Sequence, residues 1–349
     1  MSAVATAEYA SAAAEFAATS MTSTSDGATV EVAAGSHIRV VGALAGIGSG
    51  LAKVTVGHGF DTIKTRIQTS PPGTYRGAID CLVRTVRNES FFALWKGMTP
   101  PMFGQAAIDS ALLGSLHNYR LAFMRAGFVE DSPVRARYMS DADTEYGGKR
   151  LTLIGHGLAG LCAGFTSAIV ATPIETLKVK LQVQVQRDSA SRQFRGPLDC
   201  AVKVLRAQGL FGGLWRGYLT SSLYRSSFFW MFLSMEGLMR ASTRLDGTPY
   251  EMSKGAATFW SGGLASFSFW VFGIPIDNIK NRIFSAPLSA PRISPLDLAR
   301  QVWHAERLRG FYKGFAPCVL RALPANACAF FAFDWIMTHL GAEDVRGSS

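Results

Sequence analysis

Residues 275–282 read Pro275-Ile276-Asp277-Asn278-Ile279-Lys280-Asn281-Arg282, and no Asp, Glu, Lys or Arg stands between Lys254 and Asp277. The same arrangement occurs earlier. The stretch between Arg150 and Glu175 carries no such charge and ends in Pro173-Ile174-Glu175-Thr176-Leu177-Lys178-Val179-Lys180. A third version runs from Val40, broken only by Lys53, to Gly59-Phe60-Asp61-Thr62-Ile63-Lys64-Thr65-Arg66. In each, an acid is followed by Lys three residues on and by a second base two residues later. The first two continue to Gln68 and Gln182; the third has Phe284 at that place. The charge-free stretches reach the roughly 20 residues that span a bilayer. They are rich in Gly, Ser and Thr, with Gly42, Gly46 and Gly50, and again Gly160 and Gly164, at four-residue spacing. Such spacing suits helices that pack closely on one another.

A second signature follows each of the first: Trp95-Lys96-Gly97, Trp215-Arg216-Gly217 and Tyr312-Lys313-Gly314. One acid-x-x-Lys is common on any solvated helix face. Two ordered signatures, each present three times at matched spacing, define an internal repeat. The unit is a long apolar helix, a basic segment holding a short amphipathic helix, and a second long helix broken near its middle by a charge. Three units predict six membrane helices, the second of each pair near 98–125, 216–241 and 314–340. The expected division is a tail over 1–36, repeats over 37–125, 151–242 and 255–340, connectors over 126–150 and 243–254, and a short tail over 341–349.

Composition agrees. Of 349 residues 48% are hydrophobic and only 17% charged, below the roughly 25% of an average soluble domain. The net charge of +10 on such an apolar chain points to anionic lipid or solutes before nucleic acid, which is not expected as a partner. Cys81, Cys162, Cys200, Cys318 and Cys328 are scattered, without a Cys-x-x-Cys, and read as packing residues. No set of side chains has metal spacing, and neither a nucleophile motif nor a phosphate loop occurs, so no enzyme, cofactor or metal is expected. The first 35 residues hold four acids and neither Lys nor Arg, unlike a mitochondrial presequence, and read as a disordered Ala/Ser/Thr-rich tail.

The segments inside the repeats are basic. The middle one sets Arg187, Arg192, Arg195, Lys203 and Arg206 against Asp188 and Asp199, whereas 123–150 is balanced. The basic side should face the electrically negative compartment, and an even number of helices puts both termini on the other side.

The two signatures resemble those of the mitochondrial carrier family, solute carrier family 25, over about residues 37–340. The resemblance implies an all-α membrane fold: a six-helix barrel with threefold pseudosymmetry, a central site, a gate at each end, and exchange of small metabolites across the mitochondrial inner membrane, both termini facing the intermembrane space. It implies a monomer, with lipid such as cardiolipin at the helix starts marked by Gly97, Gly217 and Gly314. Gly59 departs from the family pattern, which has Pro there as at Pro173 and Pro275; Gly permits a bend without enforcing one. Trp95 to Pro101 and the run Arg321-Ala-Leu-Pro-Ala-Asn-Ala are also similar to the carnitine and basic-amino-acid branch.

In such a barrel Asp61, Glu175 and Asp277 lie at one depth, where each acid can meet the Lys of the next repeat. Lys64, Lys178 and Lys280 would then close a matrix-side ring, with Gln68 and Gln182 bracing two pairs. As surface pairs the same residues would be worth a few tenths of a kcal/mol; within a membrane, charges mark pathways. The opposite, cytosolic gate is poorly furnished: His117 and Arg120 in the first repeat, Glu236 and Arg240 in the second, Asp334 without its base in the third.

The mid-helix charges Asp109, Arg225 and Arg321 either tie helices together or bind substrate near the midplane. Arg321 stands seven residues after Gly314 and Arg225 eight after Gly217. The resemblance puts Arg321, and Tyr224 with Arg225, on substrate contact points. Two guanidinium forks suit carboxylates, and Asp109 suits an ammonium, so together they suit a zwitterion such as an amino acid or a carnitine-type solute. Lys53 adds positive charge, snorkels, or pairs with an acid. His156 and Trp260 read as packing or interface residues. The expected function is metabolite transport by alternating access. A di- or tricarboxylate exchanger and a carrier-fold adaptor without transport are the alternatives.

Overall fold

The computed structural model describes residues 28–131, 149–186, 192–245, 248–249, 251–252, 254–291 and 293–339. The chain is almost wholly helical. Repeat 1 holds α1 (Ala28–Thr69), a short α2 (Ala78–Asn88) and α3 (Thr99–Arg125). Repeat 2 holds α4 (Leu153–Gln182), α5 (Pro197–Gln208) and a second long helix in two pieces, α6 (Tyr218–Arg225) and α7 (Phe228–Thr243). Repeat 3 holds α8 (Lys254–Ser285), α9 (Pro295–Phe311) and α10 (Phe315–His339). A small antiparallel hairpin, β1 (Val129–Asp131) with β2 (Lys149–Leu151), joins the first two repeats and was not foreseen from the sequence. Helix α1 begins at Ala28, inside the stretch 1–36 expected to be a tail; Ala-rich sequence propagates a helix readily. Residues 1–27 and 341–349 lie outside the described residues.

The long helices pack in pairs: α10 along α1, α3 along α4, and α6 and α7 between α4 and α8. Their outer faces are apolar and exposed, as at Ile169, Leu264, Phe267 and Phe331. Polar groups such as Thr172, Ser261, Asp277 and Lys280 are buried. That inverted distribution suits a lipid solvent. Among the described residues, helices α4 and α8 are the two that are long and apolar enough, by length and composition alone, to cross a membrane; the other long helices carry more polar or charged residues near their middles.

The structure explains why the two signatures travel together. Pro173 and Pro275 lie inside α4 and α8. Each removes the amide that would bond the carbonyl four residues back, leaving Ile169 O and Val271 O. The aromatic residue of the second signature donates to that same carbonyl: Trp215 Nε1 to Ile169 O at 3.0 Å and Tyr312 Oη to Val271 O at 3.2 Å. Trp95 Nε1 likewise donates to Thr55 O at 2.9 Å, four residues before Gly59. The residue after each signature acid fastens the same turn. Thr62 Oγ1 donates to Leu94 O at 2.7 Å, Thr176 Oγ1 to Leu214 O at 3.2 Å, and Asn278 Nδ2 to Gly310 O at 2.8 Å.

The glycine that ends the second signature is required twice over. Gly97, Gly217 and Gly314 have φ of +76°, +85° and +85°, a region costly for other residues. A Cβ at Gly97 would also lie 2.9 Å from Lys178 O of the next repeat, and one at Gly217 2.9 Å from the Phe284 ring. The second long helix of repeat 2 breaks at Ser226–Ser227. The carbonyls there sit on the small-residue face of α4: a Cβ at Gly164 would meet Arg225 O at 2.4 Å, and one at Gly160 would meet Phe228 O at 2.8 Å.

Candidate functional site

Near the signature ends of α1, α4 and α8, the three acids and three lysines meet between repeats. Lys178 Nζ lies 2.6 Å from Asp61 Oδ2, Lys280 Nζ 2.8 Å from Glu175 Oε2, and Lys64 Nζ 2.6 Å from Asp277 Oδ2. Each pair therefore joins one repeat to another, and together they close a ring. Lys280 also reaches Asp277 Oδ1 at 3.1 Å and lies 4.1 Å from the centre of the Tyr224 ring; Lys64 lies 5.0 Å from that of Trp270. Charges this buried are held only where partners compensate lost hydration, and aromatic faces supply part of that compensation for the ammonium groups.

The two glutamines behave differently. Gln68 Nε2 donates to Asp277 Oδ2 and to Lys313 O, both at 3.2 Å, and Gln68 Oε1 accepts from Asn281 at 2.6 Å. It touches the Lys64–Asp277 pair. Gln182, also expected to brace a pair, instead accepts from Thr65 Oγ1 at 2.9 Å, donates to Thr62 Oγ1 at 3.1 Å and lies 3.2 Å from His58 Nε2. The hydroxyls at Thr62 and Thr65 and the imidazole of His58 offer its amide nearer partners than the carboxylate.

Above the ring lies a cavity of about 300 Å³. Arg225 and Arg321 line it, but each also holds a ring acid. Arg321 Nη1 donates to Asp61 Oδ1 at 2.8 Å; Arg225 Nη2 donates to Glu175 Oε1 at 2.9 Å and its Nη1 to Ser167 Oγ at 3.2 Å. The carboxylates of Asp61 and Glu175 thus each share a Lys and an Arg, whereas Asp277 has two Lys. Asp109 lines the cavity too, its Oδ1 accepting from Gln105 Nε2 at 2.9 Å. Lys53 also lines it, as does Tyr224, which packs edge-on to Phe269. Six cationic side chains (Lys53, Lys64, Lys178, Arg225, Lys280, Arg321) face four acids (Asp61, Asp109, Glu175, Asp277) around this space. The cavity is therefore cationic overall, with one carboxylate, Asp109, set apart from the ring.

At the other end the expected gate residue Arg240 is held by its own helix and by the connector. Arg240 Nε bonds Glu236 Oε1 of its own helix at 2.7 Å, its Nη1 pairs with Glu130 of the hairpin, and its Nη2 donates to Leu151 O at 2.7 Å. Glu130 also holds Arg150 at 2.9 Å. The hairpin thus draws Arg240 toward the connector. Arg120 lies 5.6 Å from the Phe232 ring centre. His117 is exposed, and the side chain of Asp334 lies outside the described residues. His156 is buried, 3.8 Å from Glu236, and Trp260 is exposed on the outer face.

Several residues escaped the reading of the sequence. Gln105 and Trp270 carry no charge and stand in no repeated motif. Glu89 pairs with both Arg66 and Lys96, and Glu306 with both Arg282 and Lys313. These acids did leave a signal, since each stands seven residues before the base of the second signature. The corresponding place in repeat 2 is held by Gln208, eight before Arg216, which hid the pattern.

The family profile described as mitochondrial carrier protein matches residues 39–126, 149–244 and 252–344. The chain is 34% identical over 298 residues to the mitochondrial substrate carrier family protein L of Dictyostelium discoideum, covering 84% of this chain and 93% of that one. It is 32% identical to a mitochondrial carnitine/acylcarnitine carrier-like protein of Arabidopsis thaliana, over 84% of this chain and 95% of that one. It is 30% identical to the mitochondrial basic amino acids transporter of Bos taurus, over 87% of this chain and 93% of that one.

Proposed function

Since the chain belongs to the mitochondrial carrier family, and is therefore a transporter and not an enzyme, we propose that its solute is a small zwitterion, an amino acid or a carnitine-type molecule. It moves by alternating access across the mitochondrial inner membrane. The observation that carries this reading is the placement of Asp109 in one cavity with Arg225 and Arg321. A carboxylate on the solute finds guanidinium groups, and an ammonium finds Asp109. The names of the amino-acid and carnitine-like relatives agree in chemistry.

In this reading the joined ring is the closed matrix gate. Arg225 and Arg321 each divide their donors between a ring acid and the cavity. A solute carboxylate competes with Asp61 and Glu175 for those donors, so binding loosens the Arg321–Asp61 contact between repeats 3 and 1 and takes from Glu175 the arginine of its own repeat. Solute binding and opening then draw on the same bonds, as population shift requires. The cytosolic end, where Arg240 is drawn to Glu236 of its own helix and to the connector, is the weaker gate in this reading. Both termini face the intermembrane space, the carrier acts as a monomer, and lipid headgroups sit at the helix starts after Gly97, Gly217 and Gly314. A pocket lined by Lys96, Gly97, Thr99, Arg192, Arg195 and Gly196 supports the first of these lipid positions.

A second reading, exchange of di- or tricarboxylates, is favoured by the excess of cations around the cavity. Uptake by liposomes holding the purified protein, tested with basic and neutral amino acids, carnitine and dicarboxylates, separates the two. The zwitterion reading expects amino acid or carnitine uptake well above dicarboxylate uptake; dicarboxylate exchange alone overturns it.

A further inference from the structure

In repeats 1 and 3 a carboxylate sits between two bases. Glu89 holds Arg66 and Lys96; Glu306 holds Arg282 and Lys313. Each clamp fastens the end of a repeat's first long helix to the turn that starts its second long helix. In repeat 2 the bases are Lys180 and Arg216, and the residue between them is Gln208, a neutral amide. Lys180 is almost fully buried, so its ammonium must find other oxygens.

It finds them in the next repeat. Lys180 Nζ donates to Ala286 O at 2.7 Å, Gln208 Nε2 to Leu288 O at 2.6 Å, and Arg216 Nη2 to Pro291 O at 3.1 Å. All three acceptors lie on the segment Ala286-Pro287-Leu288-Ser289-Ala290-Pro291, which follows α8. Two prolines stiffen that segment, and Ala290 N closes a turn onto Pro287 O at 3.1 Å.

Apolar packing crosses the same seam. Leu288 packs into the repeat 2 cluster of Leu181, Cys200, Val204 and Leu214. In return Val179 and Val183 pack into the repeat 3 cluster around Ile279, Ile283 and Val302. Between repeats 1 and 2, carbonyl bonds also occur, from Arg66 to Gln182 O and from Lys96 to Gln184 O, at 3.2 and 3.0 Å. There the same bases keep Glu89, and the repeat 1 cluster of Ile63, Cys81 and Leu94 is packed by residues of repeat 1.

We propose that residues 286–291 form a strap that binds the matrix ends of repeats 2 and 3 into one body, with Gln208 as the residue that directs the clamp of repeat 2 outward onto the strap. A carboxylate at 208 would draw Lys180 and Arg216 back into a clamp within repeat 2, whereas the amide donates to Leu288 O and leaves both bases to the strap. If the ring is the matrix gate, opening then separates repeat 1 from a joined pair. The two ring joints of repeat 1, Asp61–Lys178 and Lys64–Asp277, part further than Glu175–Lys280.

The strap is tested without any transport assay, by hydrogen exchange and mass spectrometry on the purified full-length protein. The parent should protect the amide of Ala290, which bonds Pro287 O within the strap. In Gln208→Glu its exchange should quicken about tenfold, the equivalent of about one net hydrogen bond, while residues 69–75 of repeat 1 keep the parent rate. Gln208→Leu, which removes one donor without adding charge, should shift exchange in the same direction and serves if the Glu variant does not fold. An unprotected Ala290 amide in the parent, or the parent rate in a folded variant, overturns the proposal.

Discussion

Lys178 is the residue on which the ring is most easily probed. Its ammonium is the lysine partner of Asp61, and the pair links α4 to α1 at 2.6 Å. Removing one partner of a buried pair costs about 3–5 kcal/mol, here lessened because Arg321 also holds Asp61. Lys178→Ala should insert normally in the membrane and lose about tenfold or more of uptake, the factor that corresponds to about 1.4 kcal/mol. Parent-level uptake would remove the ring from the gate. At the same scale the cysteines read as packing residues. Cys81 and Cys200 are fully buried on the short helices α2 and α5, and burial pushes their thiols up to about 11 and about 12. Both should resist maleimide at neutral pH in the folded carrier, because the thiolate is the reactive form; rapid labelling of either would contradict the packing around α2 and α5. The acids and lysines of the ring were legible one by one, since a threefold pattern exposes them. Which partner each Arg holds was not, because Arg225 bonds back to its own repeat and Arg321 forward to the first. No spacing along the chain distinguishes those choices.

The long helices bend or continue according to how a freed carbonyl is answered. Trp215 answers Ile169 O, which Pro173 leaves without its amide. Trp95 does the same at Thr55 O, where Gly59 still carries an N–H. Trp215→Phe should therefore cost about 1–3 kcal/mol, because Ile169 O on the outer face is then left unmet in lipid, and lower the melting temperature by several degrees. Trp95→Phe should cost distinctly less. Equal losses in thermal melts would break the link between proline and aromatic. A corollary concerns Gly59, which has room for a side chain: its nearest neighbour in that direction is Leu94 Cβ at 3.8 Å. Because Trp95 already serves Thr55 O, Gly59→Pro should fold and melt within about 1 kcal/mol of the parent, against the ~3 kcal/mol usual for Pro inside a helix. A collapse in yield or a drop of ten degrees or so in melting would show that repeat 1 is not built to accept the bend. Helix existence could be read from apolar length and the repeat. The break at Ser226–Ser227 could not, because neither Pro nor Gly marks it. It rests on carbonyls meeting Gly160 and Gly164 of another helix, a tertiary contact that local sequence does not announce.

Across the whole molecule the repeat sets the architecture, and departures from the repeat set the chemistry. Pseudosymmetry closes the ring of Asp61, Glu175 and Asp277 with the lysines of neighbouring repeats. Asymmetry places Arg225 in repeat 2, Arg321 in repeat 3, and Gln105 and Asp109, with Lys53, in repeat 1. On the zwitterion reading, with Arg225 and Arg321 for the carboxylate and Asp109 for the ammonium, charge distribution in the solute, more than its shape, decides what is carried. The outer end depends on the hairpin, whose Glu130 engages Arg240 and Arg150. That connector was expected only as a balanced loop, because pairing across the intervening 132–148 segment leaves no periodic trace. The measurement that bears most directly on the account is the ratio of zwitterion to dicarboxylate uptake in liposomes, for the parent and for Asp109→Asn. Loss of the Asp109 carboxylate, the one set apart from the ring among the described residues of the cavity, should lower that ratio about tenfold, the effect of one charge-assisted contact, while dicarboxylate uptake holds or rises. An unchanged ratio would contradict the zwitterion site and leave the two arginines as a carboxylate clamp.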